Sequence, residues 1–183
     1  MIQDPRKAEH SEWRDEDSTA NRDIALQSRE HFLWLLDFHW VRLKTARILE
    51  LGSGRWHLLA TIKECGINIT GLDARPRPID ATLPIHDGDV HHLSSVIEAW
   101  FYDTVISRDL LDTHFYNQNI TKIGEEIAKI LWDGGLYIGK EPNAPHLELP
   151  WCRKSIIAGQ FQIFRKWWGF LAEDYNFSRR FKI

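Results

Sequence analysis

Along the chain, short fully apolar runs alternate with stretches whose apolar residues recur every three or four positions. From Asn21 to Leu43, the positions Ile24, Ala25, Phe32, Leu35, Leu36 and Phe38 fall on one side of a 3.6-residue repeat, which predicts an amphipathic helix. Ala46–Leu51 is a short apolar strand. Leu58–Cys65 is helical and stops at Gly66, and Ile67–Leu72 is a second strand that ends at Asp73. Residues 74–81 carry Pro76 and Pro78, so a regular helix is not expected there. Leu83–His86 reads as a weak third strand, followed by the turn residues Asp87-Gly88-Asp89.

Leu93–Phe101 is helical in pattern, and Thr104–Ser107 is a strand entered through Tyr102-Asp103. Ile120–Trp132 has helical periodicity and runs into Asp133-Gly134-Gly135, a stop signal. Leu136–Gly139 is the next strand. A Pro-containing loop over 141–150 leads to an expected helix over Ser155–Leu171, with Phe161, Phe164, Trp167, Trp168 and Phe170 on its buried face. The tail, Phe177–Ile183, is a candidate edge strand. Strand–helix alternation over about 46–140 predicts a doubly wound, mostly parallel α/β sheet with helices on both faces, preceded by an N-terminal helix.

The 183-residue length suits one domain over 21–183 after a charged, non-periodic segment, 1–20, expected to be flexible. A formal charge of −3 argues against a general nucleic-acid binder or a membrane-surface protein. Cys65 and Cys152 form neither a disulfide framework nor a zinc spacing, which fits the cytoplasm. The polar, charged start is not expected to act as a signal peptide, and no apolar run is long enough to span a bilayer.

The chemistry gathers at Glu50-Leu51-Gly52-Ser53-Gly54, just after the first strand. In open α/β sheets ligands sit at the carboxyl ends of the strands, where strand order reverses. Glycines allow a sharp bend and close approach of the backbone. A phosphate seat wants helix N–H groups and no neighbouring negative charge. Glu50 therefore points to a cationic organic ligand. With Glu50, Gly52 and Gly54 in these places, the chain resembles the class I S-adenosylmethionine-dependent methyltransferase family. The resemblance covers about 46–140 and implies a Rossmann-like fold with S-adenosyl-L-methionine as cofactor.

By that resemblance, Glu50 binds the methionine amino group, and Gly52, Ser53 and Gly54 let the backbone pack beside the methionine part. Asp73, with Ala74 next to it, takes the ribose hydroxyls. Asp89 accepts from the adenine amino group, and Val90 lies against the ring. YDTVISRDLLD, residues 102–112, matches the family's fourth-strand segment and contributes Ser107. ILWDGGLYI, residues 130–138, is similar to the Leu-x-Pro-Gly-Gly-x-Leu pattern, with Asp133 for the proline. Trp56 stands where a third glycine often follows, and the 44 residues after Gly139 imply a shortened or altered closing hairpin.

Asp109, Asp112 and His114 follow the fourth strand, where a methyl acceptor would lie, and are the candidates for a general base. The bland alternative is that the two acids start the next helix and that His114 is solvated. His86, His91 and His92 lack metal-ligand spacing and read as surface or helix-start residues. The Asn/Asp-Pro-Pro-Tyr signature for amide or exocyclic amino nitrogens is absent; residues 107–110 read Ser-Arg-Asp-Leu. A small-molecule acceptor is therefore expected first. The basic residues Arg165, Lys166, Arg179, Arg180 and Lys182 leave an acidic or RNA substrate open, against a plain solvated face. Two other functions compete with methyl transfer. A nicotinamide dehydrogenase needs glycine at position 57, which is His57. A non-catalytic scaffold of the same fold is the third.

Overall fold

The computed structural model describes residues 19–54, 57–74, 82–111, 119–140, 152–156 and 161–166. The elements are α1 (Thr19–Phe38), β1 (Ile48–Leu51), α2 (His57–Lys63), β2 (Ile69–Asp73), β3 (Ile85–Asp87) and α3 (Leu93–Val96). They continue with β4 (Tyr102–Arg108), α4 (Ile120–Ile130), β5 (Leu131–Lys140), β6 (Cys152–Ile156) and β7 (Phe161–Lys166). A 3-10 turn, Val90–His92, leads into α3.

The seven strands among the described residues form one sheet in the order β3-β2-β1-β4-β5-β7-β6; the candidate edge strand Phe177–Ile183 lies outside those residues. The pairs from β3 to β5 are parallel, whereas β7 runs antiparallel to both β5 and β6. Strand order reverses between β1 and β4, which places the switch point at the Glu50–Gly54 bend.

Side chains alternate across the sheet. Ile48, Ile106, Leu136 and Ile138 face a layer containing Phe32, Leu35 and Leu36 of α1 and Leu58, Leu59 and Ile62 of α2. Leu49, Leu51, Val105 and Tyr137 face the other layer, with Leu93 of α3 and Ile123 and Ile127 of α4. All four β1 residues are buried because both faces are covered.

On α1 Ala25, Phe32, Leu35 and Leu36 are buried as the pattern predicts, together with Ser28, whereas Ile24 and Phe38, expected on the same face, are exposed. The helix stops at Phe38 rather than Leu43, closed by Trp40 N–H to Asp37 O and Val41 N–H to Leu36 O, both at 2.9 Å. This is a Schellman closure in which Trp40, at φ 62°, holds the left-handed position that glycine usually takes.

Three expectations need correction. The late helix over Ser155–Leu171 is a hairpin instead. Ser155 and Ile156 end β6, and 161–166 form β7, with Ile163 buried opposite Ile138; residues 157–160 and 167–171 lie outside the described residues. Buried strand runs and buried helix segments share the same apolar content, and only long-range pairing separates them. Secondly, the helix over Leu93–Phe101 ends at Val96, because Ile97 is already extended at φ −120°.

Thirdly, the Asp133-Gly134-Gly135 stop is a bulge inside β5. Helix α4 ends at Ile130, and Leu131 pairs with Tyr102 while Leu136 pairs with Thr104, so the residues between them loop out of the ladder. Gly134 there has φ 78°, and a Cβ on Gly135 would stand 2.6 Å from the Trp132 carbonyl oxygen.

The two described basic residues at the end of the chain are not a solvated face. Lys166 is 6% exposed and donates to Ala128 O at 2.6 Å and Leu131 O at 2.8 Å. It thereby satisfies carbonyls at the end of α4 that the helix leaves open. Lys166→Met should lower stability by about 2 kcal/mol, read by urea unfolding, because those carbonyls stay buried without their donor. Arg165 donates to Gly134 O and His39 O, both at 2.8 Å, and so joins β7 to the bulge and to the end of α1.

Candidate functional site

Glu50 lies on the α1/α2 side of β1, between Ile48 on the same face and the bend that follows. It is 4% exposed. Burial pushes its carboxyl up to about 8; Arg108 and the Leu59 backbone N–H pull the other way, and Asp73 adds to the rise. Its Oε2 is buried with no hydrogen-bond partner among the described residues. A buried acid with an unmet oxygen is a poor structural element and a good cation seat.

The bend itself is left-handed at both glycines, φ 64° at Gly52 and 54° at Gly54. Gly52 N–H and Ser53 N–H donate to Leu72 O at 2.8 and 3.2 Å, which ties the bend to the end of β2. A Cβ on Gly52 would stand 2.5 Å from Leu110 Cδ1. Gly52→Ala should therefore destabilise the chain by about 2 kcal/mol in thermal unfolding, from strain and overlap together. Ser53 is buried, and its Oγ also has no partner among the described residues.

Asp73 sits at the end of β2 beside the bend, and its Oδ2 accepts from Gly54 N–H at 2.8 Å. One carboxylate oxygen thus fixes the turn. Ala74 follows in a half-buried bend. The segment 75–81, expected to be irregular, lies outside the described residues, as do Trp56, Asp112 and His114.

Asp89 caps the 3-10 turn: Oδ1 accepts from His91 N–H at 2.9 Å and lies 2.7 Å from His91 Nδ1. Burial works to raise the Asp89 carboxyl, but the His91 bonds and the nearby His92 prevail and leave it below its ordinary value. Val90 packs into the core with Leu72 and Leu93, which leaves its main chain rather than its side chain for a ligand. His91 is buried in the 3-10 turn that starts the helix, and His92, in the same turn, is exposed, so the two divide between the helix-start and surface places expected of them.

Ser107, at the carboxyl end of β4, is wholly buried, and its Oγ lies 2.8 Å from the Tyr137 hydroxyl. Asp109 is exposed, has φ 53°, and lies 3.7 Å from Arg108 Nε. Its N–H donates to Lys140 O at 3.0 Å.

The structure brings Glu50, Gly52, Ser53, Gly54 and Asp73 together at the switch point, with Asp109 at the neighbouring strand end. Asp89 and Val90 follow the next strand out.

Three participants were not singled out from sequence. Arg108 acts on the Glu50 charge, and its Nη1 donates to Ser28 Oγ on α1 at 3.2 Å. Gly71 has no room for a side chain, since a Cβ would stand 2.8 Å from Ser53 Oγ. Leu110 covers Gly52. Arg108 follows Ile106 by two positions and so shares its face, and Ile106 pairs with Glu50 across the β1–β4 register, a pairing that local sequence pattern does not show.

No protein-family model and no curated protein sequence matches the chain. Solved structures do. A methyl transferase for S-adenosyl-L-methionine from Silicibacter pomeroyi DSS-3 is 17% identical with a TM-score of 0.61, over 82% of this chain and 100% of that one. A protein from Pyrococcus horikoshii OT3 is 16% identical with a TM-score of 0.61, over 83% of this chain and 93% of that one. A proposed sarcosine dimethylglycine methyltransferase from Galdieria sulphuraria is 18% identical with a TM-score of 0.53, over 66% of this chain. The chain spans only 47% of that protein's length. The fold is that of the class I methyltransferases. No helix among the described residues is long and apolar enough to cross a membrane.

Proposed function

We propose that the chain binds S-adenosyl-L-methionine at the Glu50–Gly54 bend and transfers its methyl group to a small-molecule acceptor. The observation that carries this is the buried Glu50, which keeps an unmet oxygen beside two left-handed glycines at the sheet's switch point. The likeness to methyltransferase structures supports the fold on which it rests. A phosphate-bearing dinucleotide fits this seat badly, because the acid stands where an anion would have to lie.

The residues fit the cofactor in parts. Glu50 suits the α-ammonium group, and the backbone at Gly52 and Gly54 is open to close approach. Asp73 fixes the bend through Gly54 N–H and stands at the strand end where the ribose is expected. Asp89 and Val90 belong to the adenine end. Once bound, the cofactor supplies a methyl group already activated by the sulfonium charge. The chain then holds donor and acceptor in line and keeps water away, which is the larger part of such a rate enhancement. Asp109 is the described candidate to take a proton from an acceptor that must lose one, and Arg108 beside it favours an acceptor with negative charge.

Calorimetry with S-adenosylhomocysteine tests the reading. Micromolar binding is expected for the wild type. Asp73→Asn keeps an oxygen for Gly54 N–H but removes the charge, and should weaken binding about tenfold. Absence of any heat with S-adenosylhomocysteine, or unchanged affinity in Asp73→Asn, overturns the assignment.

A further inference from the structure

On the opposite rim of the sheet, at the amino ends of β4 and the regular part of β5, lies a cavity of about 280 Å³. The turn after α1 and the β5 bulge at Gly134 form part of its wall. Two buried polar atoms belong to lining residues and have no partner among the described residues, His39 Nε2 and Thr104 Oγ1. Unmet groups of this kind weaken a fold unless something else uses them. Burial and then Arg165 hold the His39 imidazole below its ordinary value, so it is neutral near pH 7.

The charged side chains among the described residues that line the cavity are Arg42, Arg165 and Asp103. Asp103 Oδ2 is already engaged, accepting from Arg47 N–H at 2.8 Å and Arg47 Nε at 3.4 Å. Arg165 is held in place by two carbonyls, and Arg42 is exposed. What remains is two guanidinium groups, which only donate, beside a hydroxyl and an imidazole that can each turn a donor to a ligand. Trp40 adds a separate clue. It is 89% exposed, so packing does not explain an indole in a left-handed position that glycine fills without strain.

We propose that this rim cavity binds a small oxyanion, a phosphate- or carboxylate-bearing molecule, through Arg42, Arg165, Thr104 and His39 beside Trp40. The site is separate from the Glu50 bend and does not depend on methyl transfer. An anion among two guanidinium groups and an imidazole favours the charged form of His39.

The test uses the full chain, with the His39 ring followed by NMR while inorganic phosphate or succinate is added. Either anion should raise the His39 pKa and saturate in the millimolar range or below. A response to phosphate alone identifies a phosphoryl ligand, and a response to succinate alone a carboxylate; both support the site. Arg42→Gln and Thr104→Val should each weaken binding about fivefold, roughly one charged or neutral hydrogen bond. Both variants keep the Arg165 contacts, so their folding is checked by unchanged NMR dispersion. Glu50→Gln should leave anion binding as it is. The proposal is overturned if neither anion moves His39, or if both variants bind as the wild type does.

Discussion

Glu50→Gln gives a more stable protein at pH 8 that has lost its ligand. The acid titrates near its ordinary 4.5 in the unfolded chain and at about 8 in the folded one. Below pH 4.5 it is neutral in both states, and the folded state bears no charge burden. Between those values only the unfolded chain releases the proton, so stability falls by about 1.4 kcal/mol per pH unit, and above pH 8 the loss is complete. The amide removes that slope but leaves its own buried N–H groups poorly met. The net gain at pH 8 should be about 2 kcal/mol. Thermal unfolding of both proteins across this range reads it directly, and parallel pH profiles would show that Glu50 is not held neutral.

Ligand binding should move the opposite way. A bound ammonium group needs the ionised acid, so below pH 8 binding releases a proton. Wild-type affinity for S-adenosylhomocysteine should therefore rise with pH towards 8. In Glu50→Gln the affinity should fall about a hundredfold, the value of a well-placed buried charge contact. A variant that gains stability and keeps its affinity would mean that the acid serves some other purpose.

The second large effect lies at Glu126, on the far face of the sheet. This carboxylate is 2% exposed and accepts from Ser94 N–H at 2.9 Å, Ser94 Oγ at 2.8 Å and Lys129 Nζ at 2.6 Å. Burial works to raise it, but Lys129 and Ser94 prevail and bring it down to about 2. Its contribution is present in full above pH 4.5 and is lost as pH falls towards 2, which is the opposite sign to Glu50. Lys129 is half-exposed, so solvent trims the gain, and about 2 kcal/mol should disappear over that interval. Glu126→Ala should cost about 3 kcal/mol at pH 7, since it also uncaps the start of α3, and should flatten the acid limb of the unfolding profile. An acid limb that stays steep in the variant would place the sensitivity elsewhere. From these two groups alone, stability peaks near pH 4.5.

Much of this architecture could be read from local pattern. Four-residue β1 is apolar except for one acid, and that acid is the informative residue because nothing in a buried central strand calls for it. The periodicity of α4 held, and that of α1 held in its centre, while Ile24 and Phe38 near its ends are exposed. The hairpin β6–β7 did not, because Ile156, Phe161 and Ile163 carry no local sign that Ile156 lies opposite Gln162, Phe161 opposite Lys140 and Ile163 opposite Ile138. The same limit hid Arg108. Its approach to Glu50 depends on β1 lying beside β4 in one register, a relation between distant parts of the chain. Asp89 shows the reverse: its residue type fits both a ligand acid and a turn former, and the structure shows the cap. The general-base candidates Asp112 and His114 fall outside the described residues, and sequence pattern alone supports them.

The loop-out at Trp132–Gly135 sets how this fold tolerates change. Extra chain is absorbed beside Tyr102, while from Thr104 to Arg108 the ladder with β5 advances without a further slip. Lengthening or trimming one border should thus leave the opposite border's alignment untouched, at the cost of the Arg165 anchor on Gly134.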